Sequence, residues 1–133
     1  MNRTTAREQA MKLVYEWEMG GDGGEDTRMN LLEVQEGENE YDFMIGVYEG
    51  VVARQQEIDS LISEFARGWS LDRLSRVDLA ILRVAVYEMM QKTAATPVII
   101  HEAAVELASR FSSEKAGPFV NGILGSISRS GKI

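Results

Sequence analysis

Apolar residues recur every three or four positions along most of the chain, the spacing that gives a helix one buried face. Over 4–19 the stripe is Ala6, Ala10, Leu13, Val14 and Trp17. Thr4 or Thr5 is the expected cap, and Glu8 stands three residues after Thr5, as a capping box requires. Gly20-Gly21 ends this element, and GGDGGED reads as a loop. A shorter amphipathic helix is expected over 27–35 from Met29, Leu31, Leu32 and Val34, followed by a second acidic loop, EGENE, at 36–40. From 41 to 67 the spacing predicts two helices, with Phe43, Val47 and Val51, then Ile58, Leu61, Ile62 and Phe65, facing inward.

The least ambiguous element is RVDLAILRVAVYEMMQ at 76–91, where only Arg76, Asp78, Arg83, Glu88 and Gln91 are clearly polar. A helix apolar on nearly every side belongs in the middle of a bundle. Arg76 and Arg83 are expected to form ion pairs inside that bundle. Ser70 is expected to cap a short turn at 71–75, and Thr96-Pro97 reads as a cap followed by the first residue of a helix over 98–111. That helix would turn Ala103, Ala104, Leu107 and Ala108 inward, and Gly117-Pro118 would separate it from a last helix at 119–129. No alternating strand pattern, hairpin turn or fixed repeat is present. The fold class is all-α: a single domain over 1–133, with helical halves of about 1–68 and 69–133 meeting at Gly68-Trp69.

At 133 residues such a domain can bury a core without disulfides or metal. The absence of cysteine excludes a thiol nucleophile and every thiolate metal site, and one histidine, His101, leaves no plausible zinc set. No apolar run approaches the roughly 20 residues of a membrane span, and the N-terminus does not read as a signal peptide. The expected setting is cytoplasmic. The net charge of −7 is unevenly spread: +2 over residues 1–15, −9 over 16–42, −3 over 43–109 and +3 over 110–133. Both ends are basic. Exposed charges act over only about 8 Å at physiological salt, so a local basic patch can bind an anion despite the overall sign.

Catalytic readings are weak. His101 and Glu102 are neighbours on a helix and point in different directions. The GGDGG loop is followed by acids where a phosphate loop needs lysine, and the acidic residues of 22–40 do not match an EF-hand loop. Single-stranded RNA is a better match, because its recognition combines cations for phosphate with aromatic planes for bases. Arg3 and Arg7 are one helical turn apart and share a face; Lys115 and Phe119 have the same spacing, and Tyr15 lies on the first helix. Tyr15 and Phe119 read equally well as core aromatics.

Four strings add specificity: AREQAMKLVYEW near the start, RVDLAILRVAVYEM in the middle, then EAAVELASRF, and FVNGIL near the end. In this order and spacing they resemble the NusB transcription antitermination family, over nearly the whole chain and most loosely at 20–40. The resemblance implies two packed three-helix subdomains and no enzymatic activity or cofactor. It implies binding of box A RNA from ribosomal RNA transcripts together with the ribosomal protein NusE, in a transcription elongation complex with RNA polymerase. The positions matching the family's RNA contacts are Arg3, Arg7, Tyr15, Asp72, Lys115 and Phe119, and Asp78 matches a position on the NusE surface. Some family members self-associate, so a homodimer is a further expectation, with Met29 or Met44 as apolar candidates. Asn121 and Gly122 are expected to be structural, the glycine by permitting close helix packing.

The chain departs from the family pattern in three places. Thr4 and Thr5 stand within an arm that is densely basic in many relatives, Pro118 replaces a basic residue, and His101 disturbs the register of the Asn-Glu-Ala-Val-Glu-Leu string. Two rival readings therefore stand beside the RNA-binding factor. One is a helical protein-interaction module with weakened RNA contact. The other is the NusB-like part of a ribosomal RNA methyltransferase, although no cofactor-binding glycine motif occurs before Ile133.

Overall fold

Asn2, rather than a threonine, starts the first helix: its side chain accepts a hydrogen bond from the Thr5 amide at 2.9 Å, which places both threonines inside α1 (Arg3–Glu18). The computed structural model describes residues 2–20, 39–92 and 95–133. The helix expected at 27–35 lies outside the described residues, as do most of both acidic loops. The chain continues as α2 (Asn39–Ala53), α3 (Gln55–Phe65), a short 3-10 turn (Leu71–Arg73), α4 (Arg76–Gln91), α5 (Pro97–Phe111) and α6 (Ala116–Ser130). All of its regular elements among the described residues are helical.

Helix α4 has the predicted bounds and the predicted place. It packs against α1, α2, α3, α5 and α6, and Leu79, Ile81, Leu82, Val84 and Val86 are all sealed from solvent. Full burial stabilises each such side chain by about 1.5–3 kcal/mol, so α4 contributes more to the core than its length suggests. Ser75 caps it by accepting from the Asp78 amide at 3.0 Å. Arg76 and Arg83 are ion-pair partners as expected. Arg76 reaches Glu18 on α1 at 2.8 Å, and Arg83 holds Asp59 on α3 through two bonds of 2.9 Å. Burial alone would lower the Arg83 pKa, but hydrogen bonding and charge from Asp59, with Glu18, outweigh it and hold the guanidinium above its ordinary value.

The joint between α2 and α3 falls at Arg54. The inward faces include Val47, Val51, Ile58 and Ile62, together with Met44 and Tyr48, which the pattern did not mark. Met44 is fully buried and so is not a surface for self-association. A Cβ on Gly50 would overlap the Tyr87 ring, so this glycine lets α2 approach α4. Thr96 caps α5 as predicted, accepting from the Ile99 amide at 3.3 Å. Helix α6 begins earlier than expected: Gly117 and Pro118 lie in its first turn, where proline's missing N–H has no intrahelical partner to lose. No helix among the described residues is long and apolar enough to cross a membrane.

Candidate nucleic-acid interface

Arg3 and Arg7 do share one face of α1, but that face turns toward α2 and α4. The Arg3 guanidinium lies 4.0 Å from the centroid of the Phe43 ring and pairs with Glu40 at 2.8 Å, while remaining about half exposed. Arg7 is only 6% exposed. Its Nε and Nη2 donate to both carboxylate oxygens of Glu88, at 2.9–3.1 Å. This corrects the expectation of an accessible cation. Two buried charges neutralise one another, and neither can leave without exposing the other to an apolar interior.

Farther along α1, Glu8 and Lys12 face the end of α5, and Tyr15 follows at helical spacing. Glu8 accepts from Lys12 at 3.0 Å and from Arg110 at 2.7 Å. The Lys12 ammonium sits 5.3 Å from the Phe111 centroid, and Arg110 lies 4.9 Å from it. Burial alone would raise the Glu8 carboxyl, yet the hydrogen bonds and charges of Lys12 and Arg110 hold it below its ordinary value. Tyr15 is half-buried against the core and makes no ring contact with Phe119 among the described residues.

A third cluster forms where the 3-10 turn meets the start of α6. Leu74, 5% exposed, anchors the turn, and the Arg73 and Leu74 amides close it on Ser70 and Leu71. Trp69 stays outside at 52% exposure and meets Phe119 edge to face, with ring centroids 6.3 Å apart. Trp69, Phe119, Lys115, Arg73 and Asp78 line an open groove of about 270 Å³. Lys115 is exposed at the start of α6, and Phe119 is half-buried one turn later. Asp78 is 9% exposed, and its Oδ1 is buried without a hydrogen-bond partner among the described residues. Asp72 is exposed on the adjoining turn but does not line the groove.

Three of the expected residues, Lys115, Phe119 and Asp78, are therefore gathered in one place, whereas Arg3, Arg7 and Tyr15 are not. Trp69 and Arg73 were missed, because Gly68-Trp69 carried only the signal of a boundary. An indole placed in a boundary, where no core needs it, was the available clue. Gly122 also departs from expectation: a Cβ there would meet no atom within 4 Å, so close packing does not require the glycine. Asn121 is exposed, and its side chain makes no hydrogen bond among the described residues.

The model of the NusB family matches residues 4–129. The chain belongs to the NusB family. The transcription antitermination protein NusB of Acetivibrio thermocellus is 44% identical over 128 residues, covering 96% of this chain and 88% of that one. The fold is similar to that of NusB from T. maritima, with a TM-score of 0.86 at 30% identity, covering 97% of this chain and 92% of the other. It is also similar to NusB in a crystal structure of the antitermination factors NusB and NusE with double-stranded RNA, with a TM-score of 0.84 at 29% identity and 96% of each chain covered. Family membership places the chain among transcription antitermination factors rather than enzymes.

Proposed function

We propose that this chain binds box A of ribosomal RNA transcripts together with NusE, within a transcription elongation complex with RNA polymerase. The observation that carries the reading is the groove at Trp69 and Phe119. There the exposed Trp69 and the half-buried Phe119 lie beside Lys115 and Arg73, and neither cation is engaged by a carboxylate among the described residues. Unpaired bases stack on such rings while cations neutralise the neighbouring phosphates. The similar NusB that was crystallised with NusE and double-stranded RNA supports NusE and RNA as partners.

Within this reading Lys115 and Arg73 contact phosphate, Phe119 and Trp69 stack on bases, and Asp72 offers a polar contact from the adjoining turn. Tyr15 adds a ring from the α1 face. Arg3 contributes a half-exposed cation at the start of α1, and Arg7 acts only by fixing that helix to α4. Asp78 presents an unsatisfied acceptor to a donor on NusE. The test is titration of labelled box A RNA with the protein, with and without NusE, at two salt concentrations. The double variant Tyr15→Ala/Phe119→Ala should lose about 1–3 kcal/mol for each base that stacks. Unchanged binding would remove both rings from the site, and absence of binding under every condition would overturn the RNA reading.

A further inference from the structure

The Trp69–Phe119 pair has a second side. Beyond it Arg67, Gly122, Ser126 and Arg129, with the same two rings, line another open groove of about 490 Å³. Lys115, Phe119, Gly122, Ser126 and Arg129 follow one another at steps of four and three residues, so they form one stripe along α6. From Lys115 to Arg129 that stripe is about 21 Å long at 1.5 Å per residue. The opposite stripe, Ala116, Val120, Ile123, Leu124 and Ile127, is buried.

The distribution of paired and unpaired cations singles out this track. Of the thirteen lysines and arginines among the described residues, eight form ion pairs. The five that do not are Arg67, Arg73, Lys92, Lys115 and Arg129, and all but Lys92 line the two grooves beside the aromatic pair. In a chain of net charge −7, four cations without ion-pair partners along one track, with Asp78 the one acid among the described residues on the lining of the two grooves, make it complementary to a polyanion. Arg67 has φ +26°, a conformation that side chains rarely adopt, and Gly68 follows at +78°. Gly122 interrupts a helix with no packing reason to be a glycine, and it stands on the groove lining.

We propose that single-stranded RNA passes through both grooves across the Trp69–Phe119 edge. On the far side Arg67 and Arg129 hold phosphates, and Gly122 keeps the floor low enough for the strand. This rests on the RNA reading above and extends the site to residues that the resemblance did not supply. The four unpaired cations spread over the two grooves favour a strand over a protein occupant.

The experiment is a salt titration of a labelled RNA of roughly 16 nucleotides, the upper end of single-strand site sizes. Wild-type protein is compared with Arg67→Gln/Arg129→Gln, the charge-keeping Arg67→Lys/Arg129→Lys, Gly122→Leu and Lys115→Gln, with NusE present and absent. Removing two phosphate contacts should flatten the slope of log affinity against log salt by about 1.4, equivalent to about tenfold weaker binding at physiological salt. The lysine pair should bind like wild type, and Gly122→Leu should weaken binding without lowering stability. Wild-type affinity and slope in the glutamine pair, with Lys115→Gln impaired, would overturn the second groove and leave the first intact. Loss of NusE binding by the glutamine pair, with RNA binding unchanged, would assign the second groove to protein and also overturn the proposal. Failure of the wild-type protein to bind RNA would overturn both readings together.

Discussion

The start of α1 and the Trp69–Phe119 edge both combine arginines with an aromatic ring, yet they treat charge in opposite ways. At the first, Arg3 and Arg7 lie against Phe43 and each is held by a glutamate from another helix. At the second, Arg73 and Lys115 stand beside the exposed Trp69 and the half-buried Phe119, and among the described residues neither forms an ion pair, although Asp78 lines the same groove. Each place sets two of these residues one helical turn apart, Arg3 and Arg7 in the first and Lys115 and Phe119 in the second. What differs is whether a distant segment brings an acid to the cation, and this decides whether the charge supports the fold or remains available to a ligand.

The largest test of this contrast is Arg7→Met. It strands the Glu88 carboxylate in the interior and should cost about 3–5 kcal/mol in urea unfolding. Replacing Glu88 by leucine in the same molecule should recover much of that loss, and the folded double variant should bind RNA as wild type does. An RNA defect in that stable protein would return Arg7 to the ligand-contacting set. Next in size, Trp69→Ala should weaken RNA binding by about 1–3 kcal/mol with little change in stability, since the ring is half exposed. Anisotropy titration alongside thermal unfolding separates the two effects.

Smaller still, Lys115→Gln and Arg73→Gln should each flatten the salt dependence by about 0.7 and leave the unfolding midpoint within about 0.5 kcal/mol of wild type. Arg3→Gln removes a partly exposed ion pair and should cost at most about 1 kcal/mol of stability. The mildest effect concerns His101, whose pKa burial lowers from 6.5 and whose Nε2 is buried without a partner among the described residues. The unfolded chain then takes up a proton more readily than the folded one. Stability should fall as pH drops through 6.5 toward the folded value, and His101→Gln should flatten that part of the profile.

Much of the architecture was legible without coordinates, because local signals and packing agree. The apolar run of α4 and the Thr96-Pro97 start of α5 describe the same helices at both levels. Where they diverged, the competing partner was non-local or chemically ordinary. Asn2 took the cap from the threonines because its side chain reaches the Thr5 amide, and proline was tolerated inside α6 because it lies in the first turn. In the site, the Lys115–Phe119 spacing was readable because both residues share one helix. Trp69 joins them only through a tertiary contact, and Arg7 meets an acid 81 positions away. Helical periodicity shows which residues share a face, but not what that face will meet.

The Asp78 carboxylate leaves the free molecule locally frustrated. Its Oδ1 is buried with no donor among the described residues, and a buried polar group left unpaired carries a deficit of about 1–3 kcal/mol. Any incoming N–H or O–H that reaches Oδ1 removes that deficit on arrival. If Asp78 meets NusE as proposed, complex formation should stiffen the first turn of α4, and amide exchange there should slow more than the area of contact alone would suggest.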